Sequence, residues 1–226
     1  MASNQQHFET LGEIRDLMNR SSRFVSLSGL SGVCAGVFAL AGAAAAYLYL
    51  GGDLFFGLKI FGFGSRADYH TIRIAERMRE LDFYPFVLLD AAAVLICALL
   101  SGFYFTRRRA KRAGAKLWDE TSRRLLVQLL VPLAAGGLFC LFLLLHDQAA
   151  LLAPATLVFY GIALFSAAKY TLNDVQYLGL CQIGLGLAGM LFPVYGLLLW
   201  ALGFGVLHIV YGLIMYYRYE RKPETV

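Results

Sequence analysis

Apolar runs of about twenty residues, repeated along almost the whole chain, constrain this sequence more than any other feature. A helix rises about 1.5 Å per residue, so roughly 20 apolar residues cross the ~30 Å hydrocarbon core of a bilayer. Runs at 24–50, 84–105, 124–146, 150–168, 175–192 and 194–217 meet or approach that length. The composition agrees, with 59% hydrophobic and 15% charged residues, against about 45–50% and about 25% in soluble domains. Hydrocarbon offers no water to a backbone N–H or C=O, so each crossing segment must bond internally as a helix. The chain therefore reads as all-α: a polytopic membrane helical bundle of about six transmembrane helices, forming a single integral membrane domain over 1–226.

Orientation follows from Lys and Arg, which concentrate on the cytoplasmic side of spanning proteins. With the N-terminus inside, the inner segments carry fifteen of the twenty Lys and Arg residues. The outer side keeps Lys59, Arg66, Arg73, Arg77 and Arg79. Both termini are expected in the cytoplasm. A cleavable signal peptide is not expected, because Glu9, Glu13 and Asp16 precede the first run and that run is too long for an h-region. Residues 8–23 place Phe8, Leu11, Ile14 and Met18 near one face, the pattern of an interfacial helix. The outer loop 51–83 holds an aromatic and Gly-rich stretch, then a second amphipathic segment over 66–82. It reads as a lid, with a partner-binding surface as the alternative.

The net charge of +5 does not point to nucleic acid, since the cations flank apolar runs. The cluster Arg107, Arg108, Arg109, Lys111 and Arg112 is first a topology signal. Its second expected role is attraction of anionic lipid headgroups. The lipid bilayer is the main partner implied, and the small-residue helix faces leave room for a homo-oligomer or a membrane partner.

Small residues let helices approach closely in lipid. They recur at helical spacing as Gly29, Gly32, Gly36, Ala39, Ala43; as Asp90, Ala93, Cys97, Ser101; as Gly179, Gln182, Gly186, Gly189; and as Ala201, Gly205, His208, Gly212. Three of these stripes contain one strongly polar side chain, which places Asp90, Gln182 and His208 toward the bundle interior. An intramembrane ionisable group is costly and is a functional candidate by default. Tyr211 stands one turn from His208, so Gln182, His208 and Tyr211 form an expected inner polar cluster, with Asp90 nearer the outside. Tyr104 and Gln128 are possible extensions of that cluster. The competing reading is that these side chains only bond helix to helix. Thr171 and Asp174 read as a capping box, and His146 and Asp147 as a solvated turn.

No HExxH, GxSxG, P-loop or paired CxxC is present. Cys34, Cys97, Cys140 and Cys181 each stand alone in a different run, which fits neither a zinc site nor a disulfide framework. The sequence marks no catalytic residue and no metal site, names no cofactor, and weighs against an enzyme.

Several local signatures occur together: Ile14-Arg-Asp-Leu-Met-Asn-Arg-Ser-Ser-Arg-Phe24, Ser26-Leu-Ser-Gly-Leu-Ser-Gly32, Lys116-Leu-Trp-Asp119 before Arg123-Arg-Leu-Leu126, Ala153-Pro-Ala-Thr156, Lys169-Tyr-Thr-Leu-Asn-Asp174 with Tyr177-Leu-Gly179, and Gly203-Phe-Gly-Val-Leu-His-Ile-Val-Tyr-Gly212. With these the chain resembles a family of uncharacterised bacterial six-helix inner-membrane proteins with no established activity. The resemblance implies a multi-pass inner-membrane fold and adds no substrate. Three functions stay open from the residues themselves. The leading one is small-molecule transport or ligand binding through a polar intramembrane site. The second is a non-catalytic membrane scaffold or a subunit of a membrane complex. The third is an intramembrane lipid or quinone enzyme using His208 and Tyr211.

Overall fold

The computed structural model describes residues 28–49, 83–112, 114 and 118–221. The expected segments 8–23 and 66–82, and the loop 51–82 as a whole, lie outside the described residues. Within them every regular element is helical. Helix α1 is Gly29–Tyr49, α2 is Phe83–Arg112 and α3 is Glu120–Leu145. Helix α4 is Leu152–Ala167, with a 3-10 turn at each end, and α5 is Asp174–Leu191. The last helix, α6, occupies Pro193–Tyr219. Five of the six are long and apolar enough to cross a membrane. The exception is α5, which has only 18 residues and carries Asp174, Gln176, Gln182 and four glycines.

Local chemistry explains the helix ends. The run 84–105 continues as helix through the basic cluster to Arg112, because cations in a last turn complement the helix dipole. Asp119 caps α3: its Oδ1 accepts from the Ser122 amide at 2.7 Å and from the Ser122 hydroxyl at 2.5 Å. Those hydrogen bonds hold the Asp119 carboxyl below the usual carboxylate range, the hydroxyl contributing most. At the far end of α3 the backbone turns through Asp147 at φ 57°, a left-handed conformation that Asp tolerates better than most residues. Helix α5 starts behind Asn173. Asp174 therefore sits in the first turn and not at the third helical position that the capping box required. Its carboxylate faces Arg218 of α6 at 3.2 Å.

The helices run alternately up and down, and their neighbours follow a simple order. Helix α2 rests on α1, α1 on α6, α6 on the α4–α5 hairpin, and α3 on α4. The alternation gathers every described Lys and Arg at one end of the bundle.

Two pairs of helices meet backbone to backbone. In the hairpin, a methyl group added to Gly161 would lie 2.6 Å from the Gly179 carbonyl oxygen, and one added to Gly179 would lie 2.8 Å from the Gly161 oxygen. Between α1 and α6, a methyl on Gly36 would lie 2.6 Å from the Gly205 oxygen, and one on Gly212 would lie 2.6 Å from the Val33 amide. Three of the four small-residue stripes are thus helix contacts. The stripe of α2 is the exception: Asp90 and Ser101 turn toward α1, while Ala93 and Cys97 are exposed. Only one face of α2 is covered, and the half-buried set runs through Asp90, Val94, Ala98 and Ser101 instead.

A charged latch closes the basic end of α1, α2 and α6. Glu220 Oε1 accepts from the Gly29 amide at 2.5 Å, and both carboxylate oxygens accept from the Ser28 hydroxyl at 3.2 Å. Arg109 Nη1 lies 3.5 Å from Glu220 Oε1, and Arg109 Nη2 donates to the Tyr219 carbonyl at 3.2 Å. Glu220 therefore caps α1 from another helix while pairing with a third. At the opposite end, Tyr49 and Phe86 stack with ring centroids 3.8 Å apart.

Two outcomes test this packing. Gly36→Val and Gly161→Ala should each lose about 1–3 kcal/mol through overpacking. Gly137→Ala and Gly184→Ala, where an added methyl meets nothing within 4 Å, should be neutral or gain up to about 1 kcal/mol of helix propensity. Thermal unfolding in detergent reads both sets. For the latch, Glu220→Ala should lose about 1–2 kcal/mol, the range of a lost helix cap. The exchange Arg109→Glu with Glu220→Arg should not restore it, because an arginine at 220 cannot accept from Gly29. Full recovery in the exchanged protein would reduce the latch to a simple ion pair.

Candidate functional site

Helix α6 changes its winding where the site forms. It starts as a 3-10 turn at Pro193–Tyr195, continues as α-helix over Gly196–Trp200, widens to a π-helix over Ala201–Leu207, and returns to α-helix at His208–Tyr219. Wide turns of this kind are rare and are frequent at functional sites. Gly203 and Gly205 stand within it and serve opposite neighbours. Gly205 receives the side chain of Leu40 from α1, and Gly203 receives Gln182 of α5 and Leu157 of α4.

The Gly203 carbonyl is the centre of the site. It accepts from Gln182 Nε2 at 2.9 Å and from His208 Nδ1 at 3.0 Å. A carbonyl only accepts, so Nδ1 carries the proton. In the neutral ring that leaves Nε2 as the acceptor, and the Tyr160 hydroxyl of α4 donates to it over 2.8 Å. The 3.4 Å approach of Gln182 Nε2 to His208 Nδ1 joins two donors that share one carbonyl, and is not itself a hydrogen bond. Side chains from α4 and α5 thus converge on the wide turn of α6. An aromatic ladder flanks them: Phe204 lies 4.9 Å from Tyr160 and 5.0 Å from Trp200 between ring centroids.

One atom of the site is unmatched. Gln182 is completely buried, and its Oε1 has no hydrogen-bond partner among the described residues. It lies against Gly203, where an added methyl would run into both Gln182 Oε1 and Leu157 Cδ2. A backbone C–H contact of that kind is a weak substitute for an N–H or O–H donor.

The four residues expected at the site are distributed as follows. Gln182 and His208 are buried together and share the Gly203 carbonyl. Tyr211, one turn below His208, instead meets the Cys181 thiol, near Asp174 and Tyr177. Asp90 lies elsewhere, half-buried beside Gly42 and Val94 at the α1–α2 contact. No described residue bonds to it, and α2 does not reach α5. Tyr104 and Gln128 do not extend the cluster; both are exposed. Among the described residues no three His, Cys, Asp or Glu side chains converge to hold a metal ion.

Tyr160 and Gly203 were not anticipated. The signal for Tyr160 is its position: spanning proteins place Tyr mainly at the membrane surfaces, whereas this one stands mid-run beside Gly161. Gly203 carries no comparable signal, because its role depends on a carbonyl exposed by the wide turn.

Tyr160→Phe should remove the only donor to Nε2 among the described residues, with a loss of about 0.6–1.7 kcal/mol, the range for interhelical bonds in membranes. Gly203→Ala should lose about 1–3 kcal/mol by overpacking. Nitrogen-15 NMR of labelled histidine should show His208 with Nδ1 protonated and Nε2 bare; the opposite tautomer would overturn the bonding scheme. No family model, curated protein or solved structure matches the chain.

Proposed function

We propose that the chain is a six-span protein of the bacterial inner membrane, with both termini cytoplasmic, that binds a small hydrogen-bond-donating molecule between α4, α5 and α6. The sixth span is α5, whose shorter and more polar run is shielded by α4 and α6. Two observations support the orientation: all described cations sit at one end, and the even number of helices returns the chain to that end. The observation that carries the binding reading is the unmatched Gln182 oxygen. A buried acceptor without a donor is destabilising by about 1–3 kcal/mol. An apolar side chain would avoid that penalty, and an incoming donor would remove it. The wide turn of α6 supplies the movable element, since a shift back to α-helical winding would displace the Gly203 carbonyl and release Gln182 and His208 together. Binding coupled to that shift is the step a transporter needs.

A second reading, a non-catalytic scaffold or a subunit of a membrane complex, is supported by α2 and α3. Each covers only one face and leaves the rest free to meet another membrane protein.

The test is to purify the full chain from native membrane with minimal washing and identify co-purified small molecules by mass spectrometry. Wild type should retain a molecule that stabilises it against heat when added back. Gln182→Leu, which keeps the volume and removes the acceptor, should fold and lose that stabilisation. Equal stabilisation of wild type and Gln182→Leu would defeat the binding site. A stoichiometric protein partner with no bound molecule would favour the scaffold.

A further inference from the structure

Helix α6 is held by different neighbours on the two sides of its wide turn. Before the turn it belongs to the α4–α5 hairpin. A methyl added to Gly189 of α5 would lie 3.5 Å from Leu199 Cδ1, and one added to Gly196 would lie 3.7 Å from the Ala150 oxygen and from Pro154 Cδ. Beyond the turn α1 takes over. A methyl on Gly29 would lie 2.5 Å from the Tyr216 amide nitrogen, and one on Gly32 would lie 3.2 Å from Gly212 Cα. The Glu220 latch closes on this second half, immediately past its last turn. The hairpin reaches this half as well, through the buried Met215 and through the Asp174–Arg218 pair, whose arginine is 63% exposed.

The wide turn sets how the two halves face each other. A π-helical hydrogen bond spans one residue more than an α-helical one, and each residue of α-helix turns the chain by about 100°. Winding Ala201–Leu207 back into regular α-helix would therefore rotate His208–Tyr219 by about that angle against the half held by the hairpin. Two losses would occur together. His208 is the first residue beyond the turn, so its Nε2 would swing away from Tyr160 and its Nδ1 from the Gly203 carbonyl. At the other end of the segment, about 18 Å along the helix, Glu220 would swing off Gly29, Ser28 and Arg109. The latch and the site thus require the same winding.

The latch is also the firmer of the two polar grips on this end. Ser28 and Gly29 stand at the start of α1 and Arg109 in the last turn of α2, so the Glu220 carboxylate is held from two helices. The side chains of Arg109 and Glu220 are 16% and 15% exposed, which spares them the solvent screening that weakens an open pair such as Asp174–Arg218. Arg109 differs in this from Arg107, Arg108, Lys111 and Arg112, which are exposed. The sequence expectation that all five cations face headgroups is therefore corrected for Arg109, whose place on the half-buried face of α2 carries it into the latch.

We propose that the Glu220 latch controls the central site. Closed, it holds α6 in the winding that presents the Gly203 carbonyl to Gln182 and His208. Open, it lets the turn relax, and both side chains part from Gly203 together. As control of a binding site this rests on the Gln182 reading above, but the coupling along α6 can be measured with no ligand present.

The experiment places the full chain in nanodiscs and reads amide hydrogen exchange by mass spectrometry and the labelled histidine by nitrogen-15 NMR, with the His208 signal assigned by its loss in His208→Gln. In Glu220→Ala the amides of Ala201–His208 should exchange about 5–30-fold faster than in wild type, the factor that corresponds to a lost cap. His208 should then show a second signal, with Nε2 free of its hydrogen bond as in Tyr160→Phe. Arg109→Gln should move both readings the same way, exchange by about 2–10-fold, and serves if Glu220→Ala does not fold. Arg218→Gln, which breaks the exposed pair at the same end, should change exchange by less than about twofold. Unchanged exchange over Ala201–His208 in both latch variants would overturn the control. So would an equal rise in the amides of α3, which means general loosening, or a rise in Arg218→Gln as large as in Glu220→Ala. These ratios stand apart from the Gln182 reading: absence of a bound molecule would sink that reading and leave them intact, and unchanged ratios would sink the latch and leave the Gln182 site.

Discussion

Contact between bare helix backbones, made possible by facing glycines, is the constraint on which the rest of this structure depends. Apolar helices in lipid have no hydrophobic gain from coming together, so on the membrane-spanning reading proposed above dispersion across a close contact must hold these. Dispersion falls off steeply with separation. At Gly161 and Gly179, and at Gly29 and Gly212, not even a methyl group fits between the helices. The first pair joins α4 to α5 and the second fixes α6 against α1, while α6 meets the hairpin where Gly203 receives Gln182 and Leu157. They also set the distance across which Tyr160 and Gln182 must reach, which is why three side-chain bonds close on a single imidazole and a single carbonyl.

The site then follows from where α6 departs from regular winding. A regular helix uses its carbonyls internally and leaves little for a neighbour. The wide turn at Ala201–Leu207 presents the Gly203 oxygen to two side chains at once, one from its own helix and one from α5. His208 supplies a donor on one ring nitrogen and an acceptor on the other, so it joins α6 to α4 without a charge. This is an economical solution for a buried polar centre, since an unpaired ion there would be far more destabilising. The unmatched Gln182 oxygen is the exception to that rule, and for that reason it is the most informative atom in the molecule.

Much of this architecture was legible in the sequence. Run length identified the six helices, and glycine spacing identified the faces of α1, α5 and α6 that meet a neighbour. The same spacing misread α2, where Ala93 and Cys97 share a stripe with Asp90 yet face outward, because a small residue permits a contact and does not by itself supply a neighbour. Gln182 and His208 were legible as polar residues on tight faces. Asp90 was equally conspicuous in the sequence, but which helix lies beside which is not encoded in periodicity, and α2 falls at the edge of the row. Tyr160 was hidden because a tyrosine in an apolar run reads as bulk until the imidazole opposite it is placed.

The edge helices and the centre obey different physics, and this explains the distribution of charge. At the centre, polar groups are few, neutral and bonded, because nothing else can solvate them. At the edges, α2 and α3 leave most of their surface to the surroundings, and their cations are confined to one end, while Asp90 lies half-buried at the α1–α2 contact. Arg109 marks the boundary between these regimes: one residue beyond Arg108 on the same helix, it turns inward and needs Glu220 to be tolerated. The latch and the exposed cations are thus two outcomes of one basic segment. The covered face of α2 takes its counter-ion from within the protein, at Glu220, and the cations of its open face pair with no described acid.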